Sequence, residues 1–208
     1  EEYISKNNLE RLDKLDIKKL DPEYSKKIAD IYDSAKDDSN NPEVKKAYKA
    51  MADELIDQYD ALVNNGYKAK IFEAGVEPYA SSKEMLADLK ENKRLVVFST
   101  EEGFGEQGIT QEKREENPML ADSGRKDVDG KPMLFNDVFR FVHDAFGHGE
   151  LGNGFGQVGE ENAWYVHSQM FSPEARAVMT TETRGQNSWV NFGKHLRRED
   201  GSIPKRGD

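Results

Sequence analysis

Residues 41–66 constrain the fold more than any other stretch. Asn41 suits a helix N-cap, because its side chain can accept from a free backbone N–H, and Pro42 fits the first helical position. Val44, Ala47, Tyr48, Met51, Leu55, Tyr59 and Leu62 then recur at helical spacing, and Asn64-Asn65-Gly66 provides a stop. The spacing predicts a core helix over 42–65 that carries no chemistry of its own. Such a stripe must be covered, so the rest of the chain has to supply packing partners.

Those partners are mixed in type. Residues 67–73 and 94–99 read as strands, with a helix over about 83–91 between them, capped by Ser81 or Ser82. The predicted fold is α+β, mainly helical with a small β-sheet. Residues 100–134 read as one long polar connection. Within it, Asp127-Val128-Asp129-Gly130 reads as a turn, because the closing Glu of a calcium loop is missing. Gly103-Phe104-Gly105-Glu106-Gln107-Gly108 has dinucleotide-loop spacing, but Glu101, Glu102 and Glu106 would repel phosphates.

Composition removes several functional classes. Thirty Lys and Arg against 40 Asp and Glu give a net charge of −10, which disfavours a nucleic-acid partner. The absence of cysteine excludes disulfides, thiolate metal sites and thiol nucleophiles. No apolar run approaches the ~20 residues of a membrane span. The chain begins Glu1-Glu2 without Met, which suggests a piece of a longer polypeptide.

The residues suited to chemistry gather late in the chain. His143, His148, His167 and His195 are its only histidines. A helix is expected from Asn136 as N-cap, with Val138, Phe141, Val142, Ala145 and Phe146 on one apolar arc. On a straight α-helix His143 and His148 would stand about 140° apart, too far round to share an ion. Gly147 lies between them, where the helix could unwind and turn His148 back. Asp144 is four residues from His148, placed as a ligand or as an acceptor that orients an imidazole. After the Gly-rich stretch 149–159, a second helix over about 159–171 turns Glu160 and His167 into its apolar face. A buried carboxylate and imidazole require pairing or a metal, and a Glu160–His167 hydrogen bond would serve as well as an ion. Glu161 points more sideways. A third short helix starts at Ser172-Pro173. The polar run 180–191, anchored by Trp189 and Phe192, reads as site-lining, with Glu182 and Arg184 nearest the chemistry.

Two resemblances follow from these residues. Asn136-Asp137-Val138-Phe139-Arg140-Phe141-Val142-His143-Asp144-Ala145-Phe146-Gly147-His148 resembles the iron motif of the pterin-dependent aromatic amino acid hydroxylases, with Asp144 where that family usually has Glu. Val178-Met179-Thr180-Thr181-Glu182-Thr183-Arg184 is similar to that family's later Glu segment. The resemblance implies His143, His148 and Glu182 as the ligands of iron(II) in a two-His, one-carboxylate site. More broadly, the run from the strand at 94 through Phe135-Asn136-Asp137-Val138-Phe139-Arg140, the His143–His148 stretch, Gly159-Glu160-Glu161-Asn162-Ala163-Trp164 and the stretch 180–193 resembles, over roughly residues 40–193, an uncharacterised phage and prophage protein family whose members often form part of larger phage polypeptides. That likeness implies a cytoplasmic or virion-associated setting.

The expected organisation is a charged helical extension over 1–40, a globular metal-site domain over 41–193 and a polar tail over 194–208. Leu9, Leu12, Leu15, Ile17 and Leu20 form a patchy stripe in the extension, and Pro22 opens its second helix. Three functions fit. The first is a divalent-metal oxygenase with Fe(II) favoured; Asp144, Glu160 and His167 would surround the triad or serve as alternative ligands, and Arg184 would hold an anionic substrate group. The second is a hydrolase using zinc-bound water, with Glu160 or Glu182 as general base. The third is a non-catalytic phage structural or interaction domain.

Overall fold

The computed structural model describes residues 2–9, 19–36, 38–73, 77–105 and 108–203. Leu12, Leu15 and Ile17 of the expected N-terminal stripe lie outside these residues, as do Glu106, Gln107 and the end of the polar tail. The fold is mainly helical α+β, with two short two-stranded sheets among the described residues.

The central helix α3 spans Pro42–Asn64, and Asn41 caps it by accepting from the Glu43 N–H at 2.9 Å. Its stripe of Met51, Leu55, Tyr59 and Leu62 is buried in the main core. Strand β1 (Lys68–Phe72), helix α4 (Ser82–Asn92, capped by Ser81) and strand β2 (Arg94–Phe98) form a strand–helix–strand unit. The strands run parallel, Lys68 against Arg94 through Phe72 against Phe98. A parallel pair needs a crossover, and α4 provides it.

The stretch 100–134 is more ordered than the sequence suggests. It carries α5 (Thr100–Gly103), α6 (Gln111–Glu116) and a hairpin of β3 (Asp122–Lys126) and β4 (Pro132–Leu134). The turn at Asp127–Gly130 is stapled to β1, since the Asp127 carboxylate accepts from the backbone N–H groups of Ile71, Asp129 and Lys131. Local polar bonding of this kind orders a segment with few apolar residues, and periodicity does not register it.

Helix α7 (Phe135–His143) differs from expectation at its start. Its N-cap is Leu134, and Asp137 rather than Asn136 satisfies the free end, accepting from the Leu134 N–H at 2.8 Å. The other Asp137 oxygen accepts from the Thr100 N–H at 2.9 Å and its hydroxyl at 2.6 Å, which ties α7 to the start of α5. A buried carboxylate with three donors therefore fixes where the histidine-bearing helix begins.

Helix α8 (Gln157–Ser168), α9 (Pro173–Thr180, capped by Ser172) and α10 (Gln186–Phe192) complete the body. The described parts of the first 40 residues are packed against it. The Tyr3 hydroxyl of α1 (Glu2–Lys6) donates to the Met170 carbonyl, and α2 (Pro22–Ser34) lies along α10, its Asp33 accepting from the Trp189 indole at 3.1 Å. No helix among the described residues is long and apolar enough to cross a membrane.

Candidate metal centre

Helix α7 ends at His143, and the chain continues as a wide π-helical turn, Asp144–Gly149. Such a turn closes i→i+5 and takes up about one residue more than an α-turn. Residues five apart therefore return to the same side. The 140° separation expected on a regular helix is removed, and the His143 and His148 rings meet edge to face, centroids 5.2 Å apart. Gly147 makes this possible. A β-carbon there would stand 3.0 Å from His143 Cε1 and 3.1 Å from the Ala163 carbonyl oxygen.

The third member comes from α8. Donor atoms of His143, His148 and Glu160 lie within 4.8 Å of one another, and Glu160 Oε2 is 3.5 Å from His148 Nε2. The intervening loop is drawn tight, because Gly159 sits directly against the Gly154 backbone, in space that a β-carbon would need. Asn153 clamps the loop to the wide turn. Its side-chain amide donates to the Gly147 carbonyl at 2.8 Å, and its backbone N–H donates to the His148 carbonyl at 3.0 Å. Its own carbonyl faces His148 Nδ1 at 3.1 Å. A carbonyl only accepts, so Nδ1 carries a hydrogen and Nε2 is the nitrogen that faces Glu160. Phe155, from the same loop, stands edge-on to His148 at 5.1 Å.

Burial sets the charge of these groups. It holds His143 well below the ordinary imidazole range, helped by His167 and His148, and it pushes His167 down to about 3. Both are neutral, the form that binds metals. Burial alone would lower His148 too, but the hydrogen bond and charge of Glu160, with Asp144, raise it. Burial pushes the Asp144 carboxyl up to about 6. A group of two imidazoles and one carboxylate, buried on its histidine side, fits a divalent ion by both donor type and enclosure.

The carboxylate that joins the histidines is Glu160, not Glu182. Glu182 lies in a second wide turn, Thr181–Gly185, and accepts from the Tyr48 hydroxyl of α3 at 2.6 Å. Arg184, expected to hold an anionic substrate group, holds Glu161 with both arms of its guanidinium. It is also stacked between Trp164 and Tyr24, at 4.2 and 5.1 Å from the ring centroids. Glu161 is accordingly buried rather than sideways-pointing. Glu160 and His167 do not pair with each other: Glu160 meets His148, while His167 faces His143 at 3.1 Å and Gln58 at 2.8 Å. Asp144 lies outside the group of three donors. His195 lies against Trp189, centroids 4.5 Å apart and ring planes tilted by 41°.

Two residues of the site escape a sequence reading that assigns α3 no chemistry. Gln58 has a signal: Met51, Leu55, Gln58 and Leu62 share one helical face, so a polar residue occupies a core position. Asn153 has none, being one polar residue in a Gly-rich loop. Beside the site a cleft of about 350 Å³ opens, lined by Tyr79, Phe98, Arg140, Asp144 and Phe155. Compared with known proteins, the chain matches no family model, no curated protein and no solved structure.

Proposed function

We propose that the protein is a divalent-metal enzyme of the non-haem iron(II) oxygenase type, with the ion held by His143, His148 and Glu160. The observation that carries this reading is the convergence of those three donors within 4.8 Å. Two imidazoles and one carboxylate are the donor set of facial iron(II) sites, in which up to three positions stay open. The adjacent cleft supports a substrate reaching the ion past Asp144 and Phe155, the latter in contact with His148. Asn153 orients His148, and Phe155 limits water on that side. The resemblance to phage polypeptides supports a module within a longer phage protein.

A zinc hydrolase is the second reading, favoured by one feature. Asp144 places a carboxyl in the cleft without belonging to the donor group, which is where a general base for a metal-activated water would stand.

A metal inventory tests both. The protein would be purified without chelator under nitrogen, and iron, zinc and manganese quantified by mass spectrometry. Near-stoichiometric iron, lost in His143→Ala, His148→Ala and Glu160→Ala but kept in Glu182→Ala, is the expected result. Zinc with the same mutant pattern transfers the assignment to the hydrolase. No metal after anaerobic reconstitution overturns both.

A further inference from the structure

We propose that Gln58 is a positioning residue for this centre: acting through His167, it fixes which nitrogen of His143 carries hydrogen and leaves Nε2 of His143 as the donor. The inference rests on the metal reading above, and its groundwork is a chain of acceptors and donors that permits only one order.

Gln58 is fully buried on α3. One end of its amide lies 3.3 Å from both the Met170 carbonyl oxygen and the Tyr3 hydroxyl. A carbonyl can only accept, so that end is the NH2 group. The Tyr3 hydroxyl spends its own hydrogen on the same Met170 carbonyl, which leaves its lone pairs to receive the amide. The Gln58 oxygen therefore faces His167 Nε2, at 2.8 Å. That oxygen also only accepts, so His167 carries its hydrogen on Nε2.

His167 is wholly buried, with the rings of Phe139, Phe146 and Phe171 at 6.4, 6.1 and 4.9 Å. An imidazolium in that apolar setting is strongly disfavoured. A neutral ring with hydrogen on Nε2 has a bare Nδ1. That Nδ1 lies 3.1 Å from Nδ1 of His143, so His143 must donate there. Its Nε2 is then the nitrogen with a free lone pair. Asn153 likewise holds a hydrogen on Nδ1 of His148 through a backbone carbonyl and turns its Nε2 toward Glu160. Two separate networks, one from α3 and one from the 149–159 loop, thus prepare matching donor atoms.

The test reads histidine tautomers by two-dimensional 15N NMR, in the metal-free protein and in the protein loaded with zinc as a diamagnetic probe. The expected pattern is hydrogen on Nδ1 of His143 and on Nε2 of His167. Gln58→Leu should mix the tautomers and weaken zinc binding by roughly 10–100-fold, the usual range for loss of a group that orients a ligand. Hydrogen on Nδ1 of His167 in the wild type overturns the proposal whatever the metal does, and this readout stands even if Gln58→Leu does not fold. Unchanged zinc affinity in a folded Gln58→Leu protein overturns the positioning role. Wild type that shows the expected tautomers yet binds no zinc overturns the metal reading, and with it any role for Gln58 at a metal.

Discussion

His143 and His148 face each other across one wide helical turn, their ring planes 87° apart. The turn leaves no room for a side chain at Gly147, so Gly147→Ala is the smallest change that tests it. The new methyl would press on the His143 ring and on the Ala163 carbonyl, both about 3 Å away. Overpacking of this kind costs about 1–3 kcal/mol. The expected outcome is a lower Tm together with weaker zinc binding by titration. Wild-type values for both would mean that the wide turn yields freely and does not hold the histidines in place.

Asn153 predicts an ordered series. Asn153→Ala leaves the buried Gly147 carbonyl without its donor, a loss of about 1–3 kcal/mol. Asn153→Asp sets a carboxylate against that carbonyl and should be worse. Stability by thermal or urea unfolding should therefore fall in the order Asn, Ala, Asp, with zinc affinity following. An Asp variant as stable as the wild type would remove the clamp from the account.

Glu182 gives a pH prediction. Burial raises its carboxyl above the usual range, opposed by the hydrogen bond from Tyr48. A raised folded-state pKa means that the folded protein takes up the proton more readily than the unfolded chain. The charged form thus weakens the fold as pH rises through that value, and the penalty disappears in acid. Glu182→Gln keeps an acceptor for Tyr48 and carries no charge. It should raise Tm at neutral pH, with the advantage shrinking as pH falls through the raised carboxyl pKa. Metal content should not change; its loss would return Glu182 to the ligand set.

The Glu161–Arg184 pair should behave as a buried structural ion pair. Arg184→Ala strands a buried carboxylate and should cost about 3–5 kcal/mol. Arg184→Lys should recover little, having neither the fork nor the stacking on Trp164 and Tyr24. Replacing both partners, as in Glu161→Leu with Arg184→Met, should restore most of the stability. Zinc affinity should stay near wild type throughout, which separates this pair from the metal centre.

The sequence made some of this legible and concealed the rest for physical reasons. Helix α3, the strand–helix–strand unit and the caps at Asn41, Ser81 and Ser172 follow from periodicity and local chemistry, and they stand where those signals put them. His143 and His148 stand out by residue type, and Gly147 marks where the helix departs from regularity. The identity of the carboxylate is a different matter. Glu160 and Glu182 are equally plausible along the chain, and only the fold of the 149–159 loop decides between them. The resemblance to an iron motif favours Glu182, whereas the packing gives that residue to Tyr48. Hairpin β3–β4 was hidden because Asp127 holds it with side-chain bonds, which leave no apolar rhythm. Gln58 could be suspected from its core position, but its partner His167 lies 109 residues away, a distance no local pattern spans.

The contact between Gly159 and Gly154 has a consequence for the space around His148. Phe155 follows Gly154 directly, and its ring leans on His148. The backbone of this loop rests on residue 159 as a lid rests on its sill, and the sill is a hydrogen atom. Any larger residue at 159 would lift Gly154, and Phe155 would rise with it, opening His148 to water. The single hydrogen of Gly159 therefore sets the height of the Phe155 ring over His148.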